Sequence, residues 1–204
     1  TLEYKGNGKK RVLNMISFYI GLFKTAKEFA ELNGKPDVIL ASSVHPLTLV
    51  AGIKIAKKFD IPCICEVRDL WPESIVAYGS LKRNSLIAKL LYQGEKWIYK
   101  KADRIIFTME GGKDYIVDKK WDSLSNGPIN IKKVFYLNNG VDLAQFNNNK
   151  VNHPIKDLDL DSDKFKVVYT VLVVFYINCG LSFSCFFFFF YRYKFFLIVY
   201  YFVI

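Results

Sequence analysis

The sequence predicts an α/β domain built on a parallel sheet with helices on both faces. Two observations predict it. Strand-length apolar runs alternate with longer amphipathic stretches, and the links between them are short. Residues 11–33 carry apolar residues at mixed i+3 and i+4 spacing, a helix that Gly34 ends. Lys35-Pro36-Asp37 leads into Val38-Ile39-Leu40-Ala41, a short buried strand. Ser42-Ser43-Val44-His45 forms a turn, and Pro46 suits the first position of a helix running from Leu47 to Phe59. Ile61 to Val67 form the next strand. Asn84 is expected to cap a long helix from Ser85 to about Lys101. Asp103 to Thr108 read as a strand, followed by a helix through Tyr115 and a Gly/Asn/Ser-rich turn at 123–130. Lys133 to Leu137 form a last strand, ending at Asn138-Asn139-Gly140.

Right-handed crossovers place the C-terminal end of every strand on one edge of such a sheet, and ligands bind at that edge. Ser42–His45, Glu66–Trp71, Thr108–Gly111 and Asn138–Asp142 are therefore expected to line a common rim. Ser43 and His45 sit where a strand feeds a helix, whose free N–H groups attract phosphate or carboxylate. His45 is suited to bind a sugar hydroxyl or act as a base, or else to cap and pack in the turn. Arg68 is a fixed cation for phosphate or carboxylate. Glu66 and Asp69 can orient it or bind hydroxyls; the competing reading is a structural ion-pair network at a strand end. Trp71-Pro72 offers a rigid aromatic surface for stacking on a sugar ring or for packing. Locally, Asn138-Asn139-Gly140-Val141-Asp142 is a turn.

The composition narrows the function classes. Lysines and arginines exceed acidic residues, 29 − 19 = +10. That excess favours anionic partners such as nucleotide phosphates or an anionic membrane surface, or else a lysine-rich solvated surface. Nucleic acid fits poorly, because the lysines are spread over several helices and form no basic-aromatic stripe. There is no GxGxxG, no Walker-type loop and no metal-ligand cluster; the histidines are His45 and His153. Cys63 and Cys65 alternate on a strand without CxxC spacing, and with Cys179 and Cys185 they read as reduced thiols of a cytoplasmic catalytic region.

A second regime begins after Lys166. Val167 to Tyr191 contain no charged residue, and residues 171–204 hold 15 aromatics among 34 positions, including the run Phe186–Phe190. An uncharged stretch of this length is a transmembrane candidate. Its Phe- and Tyr-rich make-up lacks the aromatic-belt layout of a span. A product of out-of-frame translation is the other expectation.

PDVILASSVHPL (36–47), EVRDLWPES (66–74), KKADRIIFTMEGGKDYI (100–116) and LNNGVDLAQF (137–146) together resemble the N-terminal domain of family-4 glycosyltransferases. The similarity is greatest to the branch acting in bacterial capsule, O-antigen and colanic acid assembly, and it covers roughly residues 4–170. The resemblance implies two Rossmann-like domains facing across a cleft, the GT-B arrangement. It implies transfer of a sugar from a nucleotide-sugar to a sugar or lipid-linked acceptor, with retention and without a metal or other cofactor. Arg68 and Asp69 take the place of residues near the reacting sugar. His45, Glu66, Trp71 and Ser43 fall on the substrate side, and Asn139, Gly140 and Asp142 mark the hinge.

The departures carry expectations too. The chain is expected to start after the family's first strand and Gly-rich loop, leaving the acceptor domain (1–150) without its first βα unit and a sheet edge or face open. Residues 151–170 resemble the hinge and the first strand of a second domain, and the resemblance stops at Val171. The expected product is an acceptor-side fragment, inactive alone, at the cytoplasm or the cytoplasmic face of the inner membrane. The rival expectation is a non-catalytic binding module tethered by residues 171–204.

Overall fold

The computed structural model describes residues 9–43, 45–153 and 195–199. The first unit consists of α1 (Lys9–Asn33), β1 (Val38–Ser43), α2 (Pro46–Phe59), β2 (Cys63–Val67), α3 (Glu73–Ala77), α4 (Leu86–Lys101), β3 (Arg104–Phe107), α5 (Gly112–Asp118), β4 (Val134–Tyr136) and β5 (Phe195–Val199). The strands are all parallel, in the order β4-β3-β2-β1-β5. This is the Rossmann-like α/β arrangement that the alternation predicts.

Register and period explain how the helices are seated. Ile39 pairs with Cys63, Ala41 with Cys65, Cys65 with Ile105, and Val67 with Phe107. Paired positions share a face, so these side chains form one apolar surface, and all of them are buried. Helices α2, α4 and α5 cover it. Gly52 of α2 lies over Ala41, Cys63 and Ile39. Tyr99 of α4 stacks edge-on to Phe107 at 5.6 Å, and Gly112 of α5 sits against the same ring. The alternate positions Leu40, Ile64, Glu66 and Ile106 point to the other face and are half-buried. α1 packs beside α2, where Tyr19 accepts a hydrogen bond from Lys54 at 3.0 Å.

The ends of the elements are tied by side chains. Ser85, not Asn84, is the N-cap of α4: its hydroxyl accepts from the Ala88 N–H at 3.2 Å. Asn84 thus falls one residue outside the cap. At the other end of α4, Lys133 donates to the carbonyls of Ala102 (2.6 Å) and Lys100 (2.9 Å), neutralising the negative end of the helix. Asp103 accepts from the Cys63 N–H at 2.8 Å, stapling the starts of β2 and β3. Cys63 and Cys65 are free and buried, 4.0 Å apart.

Several elements of this unit depart from the sequence expectation. β1 runs two residues further than the predicted strand, through Ser43. α3 is a five-residue helix inside the loop after β2. β5 places part of the aromatic-rich segment beside β1, at the edge the sequence left open. The rest of that segment, with the expected second-domain strand, the transmembrane candidate, Cys179 and Cys185, lies outside the described residues. Among the described residues no helix is long and apolar enough to cross a membrane.

A second unit begins at Asn139. Its described element is α6 (Leu143–Asn152), capped by Asp142, whose carboxylate accepts from the Gln145 N–H at 3.0 Å.

Candidate functional site

Parallel strands bring the ends of β1, β2, β3 and β4 to one edge. The backbone confirms their alignment: Thr108 N–H donates to the Val67 carbonyl at 3.2 Å, and Leu137 N–H to the Phe107 carbonyl at 3.0 Å. Ser43 ends β1, and His45 directly precedes α2 with Pro46 in its first turn. Arg68, Asp69 and Trp71 follow β2. Asn139, Gly140 and Asp142 belong to the second unit, Asp142 as the cap of α6.

The rim residues differ in what they can reach. Asp69 is exposed, while Arg68 and Trp71 are half-buried. Asp69 and Trp71 join Pro46, Leu49 and Val67 around a small cavity, closed on its inner side by Glu95, Ile98 and Tyr99 of α4. Its volume is about 10 Å³, close to the room one water needs. Glu66 instead projects from β2 on the face away from α2 and α4, as its period with Ile64 requires. The structure therefore gathers Asp69 and Trp71 with the start of α2, and sets Glu66 on the opposite side of the same strand.

His45 is 1% exposed, with the Phe18 ring edge-on at 6.2 Å. Burial, reinforced by the positive charge of Arg11, lowers its pKa to about 4. At neutral pH it is an uncharged imidazole under α1. Any part it takes in ligand binding is as a neutral hydrogen-bonding group, not as a cation for phosphate.

Two carboxylates that the sequence reading left without a role organise the surroundings. Glu73, in the first turn of α3, accepts from Lys119 at 2.8 Å and from Tyr92 at 2.8 Å, and forms a forked pair with Arg83. Burial pushes Glu73 up, but the bonds from Lys119, Tyr92 and Arg83 outweigh it and hold its pKa at about 2. Lys119 also lies 4.0 Å from the centre of the Tyr92 ring. One side chain thus ties the Trp71-Pro72 loop to α4 and to the end of α5. Glu95 lies deeper, accepting from Tyr99 (2.8 Å) and Tyr115 (2.8 Å). Burial raises its pKa to about 7 against those two bonds. It is a carboxyl able to take up or release a proton near neutrality, set in the cavity wall near Asp69 and Trp71. The only acid on an otherwise basic and apolar helix was the signal that could have found it.

Among the described residues, no group of three or more His, Cys, Asp and Glu could hold a metal ion.

Fold and rim together define a Rossmann-like domain with polar side chains gathered at its strand ends. The model of Glycosyltransferase Family 4 matches residues 3–145, more than half of the chain, and the chain belongs to that family. Among curated proteins, comparison finds no match. Membership implies a nucleotide-sugar donor and an acceptor in general.

Proposed function

We propose that this chain is the acceptor side of a retaining, metal-independent transferase. The enzyme moves a sugar from a nucleotide-sugar to a sugar or lipid-linked acceptor. The setting is bacterial surface polysaccharide synthesis, of the capsule, O-antigen or colanic acid type, at the cytoplasmic face of the inner membrane. The observation that carries this reading is the position of Arg68, Asp69 and Trp71: they follow β2 at the ligand edge, inside the family match. Arg68 and Asp69 contact the reacting sugar or phosphate. Trp71 stacks or supports the loop, Ser43 and His45 contact the acceptor, and Asn139, Gly140 and Asp142 form the hinge.

Stabilising the leaving diphosphate is the main electrostatic work of such a transfer. The resemblance assigns that work to a second domain, and the described residues carry the acceptor side. The test measures binding by the purified chain. A panel of lipid-linked sugars is expected to bind the wild type and to lose at least about tenfold in affinity with Arg68→Ala or Asp69→Ala. Unchanged binding by both variants would overturn the site.

A further inference from the structure

Glu95 is the sole acid of α4, and it is 4% exposed. Its carboxyl takes hydrogen bonds from the Tyr99 hydroxyl of its own helix and the Tyr115 hydroxyl of α5, each at 2.8 Å. Two charged groups act on it, Lys119 from the end of α5 and Glu73 from α3. Those two bond each other at 2.8 Å, so each offsets the other's field at Glu95. Tyr92 and Arg83 pair with the same Glu73. α2 and β2 bring Pro46, Leu49 and Val67 to the cavity beside Glu95, all apolar. The loop after β2 brings Trp71 and a second acid, Asp69.

The two states of Glu95 make different demands on this cavity. A neutral carboxyl matches two tyrosine hydroxyls, which donate and accept alike. An ionised one needs further donors or a counter-charge. The cavity, about 10 Å³, has room for about one water. Asp69, also an acid, repels a second negative charge rather than steadying it. Ionisation is therefore relieved by moving the wall that can move, the loop that carries Asp69 and Trp71, away from α4.

We propose that Glu95 is a positioning residue for the rim, worked by a proton: neutral, it lets Trp71 and Asp69 seat against α4, and ionised, it sets them loose. The consequence for function rests on the reading of that rim as the acceptor site. Burial places the exchange at about pH 7. The seated rim belongs to the acid side of that point, so acceptor affinity falls as pH rises through neutrality.

The test uses the full chain labelled with fluorotryptophan. Trp71, Trp97 and Trp121 give separate fluorine NMR signals, and Trp71→Phe assigns the first. The Trp71 signal is expected to shift with a midpoint at about pH 7. In Glu95→Gln it is expected to stay at its low-pH position throughout. Tyr115→Phe removes one donor to the ionised form and is expected to raise the midpoint by about one pH unit; it reads the switch even where Glu95→Gln fails to fold. A lipid-linked sugar in detergent is expected to bind about threefold more tightly at about pH 6 than at about pH 8, with no such difference in Glu95→Gln. A Trp71 signal that does not titrate, or one that titrates unchanged in both variants, would overturn the proposal. So would equal sugar affinity at the two pH values in the wild type. The fluorine titration contains no sugar, so its failure leaves the acceptor reading standing. A chain that titrates as described and binds no sugar overturns the acceptor reading and not the switch.

Discussion

At the scale of single residues, two carboxylates pull the pH dependence of stability in opposite directions. Glu73 is held at about 2 in the folded chain, below the ordinary carboxylate range. Its contribution is complete above about pH 4.5 and is lost as pH falls toward 2. Glu73→Gln should cost about 1–2 kcal/mol at neutral pH, from the lost charged hydrogen bonds. The loss should shrink between about pH 4.5 and 2. Urea unfolding across that range checks it, and parallel curves for variant and wild type would contradict the network. Glu95 has the reverse sign. Its folded pKa is raised to about 7, so the folded state holds the extra proton and loses stability as pH rises from about 4.5 to 7. Glu95→Gln should therefore gain stability relative to wild type across that window, by about 1–2 kcal/mol at pH 7. His45, lowered to about 4, loses stability as pH falls from about 6.5, so it opposes Glu95 over the shared range. The wild type should be nearly flat between about pH 4.5 and 6.5, and Glu95→Gln should expose the His45 slope.

These residues also show where the sequence was silent. Glu73 was visible in the motif, but its partners Arg83, Tyr92 and Lys119 lie 10, 19 and 46 residues away. No local pattern joins them. His45 stood out as a group to bind a sugar hydroxyl or act as a base, or else to cap and pack in the turn; the ring that packs on it, Phe18, and the charge that helps lower its pKa, Arg11, lie on a helix that precedes it by a whole strand.

At the scale of elements, β1 to β4 were legible because each is a short apolar run beside Pro, Asp or Asn, α2 because Pro46 opens it and its apolar residues recur on one side, and α4 because Asn84-Ser85 offers a cap at its start. α3 was not, since five residues of Glu-Ser-Ile-Val-Ala hold too little pattern to separate helix from loop. β5 was not, because an unbroken aromatic segment shows neither period. The closest joint between elements is that of α2 on β1. A Cβ at Gly52 would come within 2.5 Å of the Ala41 Cβ. Gly52→Ala should therefore destabilise by about 1–3 kcal/mol, although alanine is the better helix former. Ser85→Ala should cost about 1 kcal/mol through the lost cap, whereas Asn84→Ala should cost almost nothing. Thermal unfolding of the three variants decides it, and an Asn84 effect larger than that of Ser85 would return the cap to the predicted position.

At the scale of the whole molecule, a parallel sheet places one charged loop at the C-terminal edge of its strands, and side chains of α4 and α5 hold that loop in place. Glu73 fixes the far side of the Trp71-Pro72 loop, and the apolar strand β2 fixes the near side. Asp69 itself is exposed and carries no part of the core. Asp69→Ala should thus leave stability within about 0.5 kcal/mol of wild type, while binding at the rim is lost. A structural ion-pair role for the loop predicts the opposite pairing of effects.

The central claim, that the strand-end rim after β2 is where a sugar acceptor sits, is tested most directly by backbone NMR of the chain titrated with a lipid-linked sugar in detergent. Shifts are expected at Ser43–Leu47, Arg68–Trp71 and Thr108–Gly111, and Asp69→Ala is expected to remove them without altering the remaining spectrum. Shifts confined to other surfaces, or a rim response unchanged by Asp69→Ala, would contradict it.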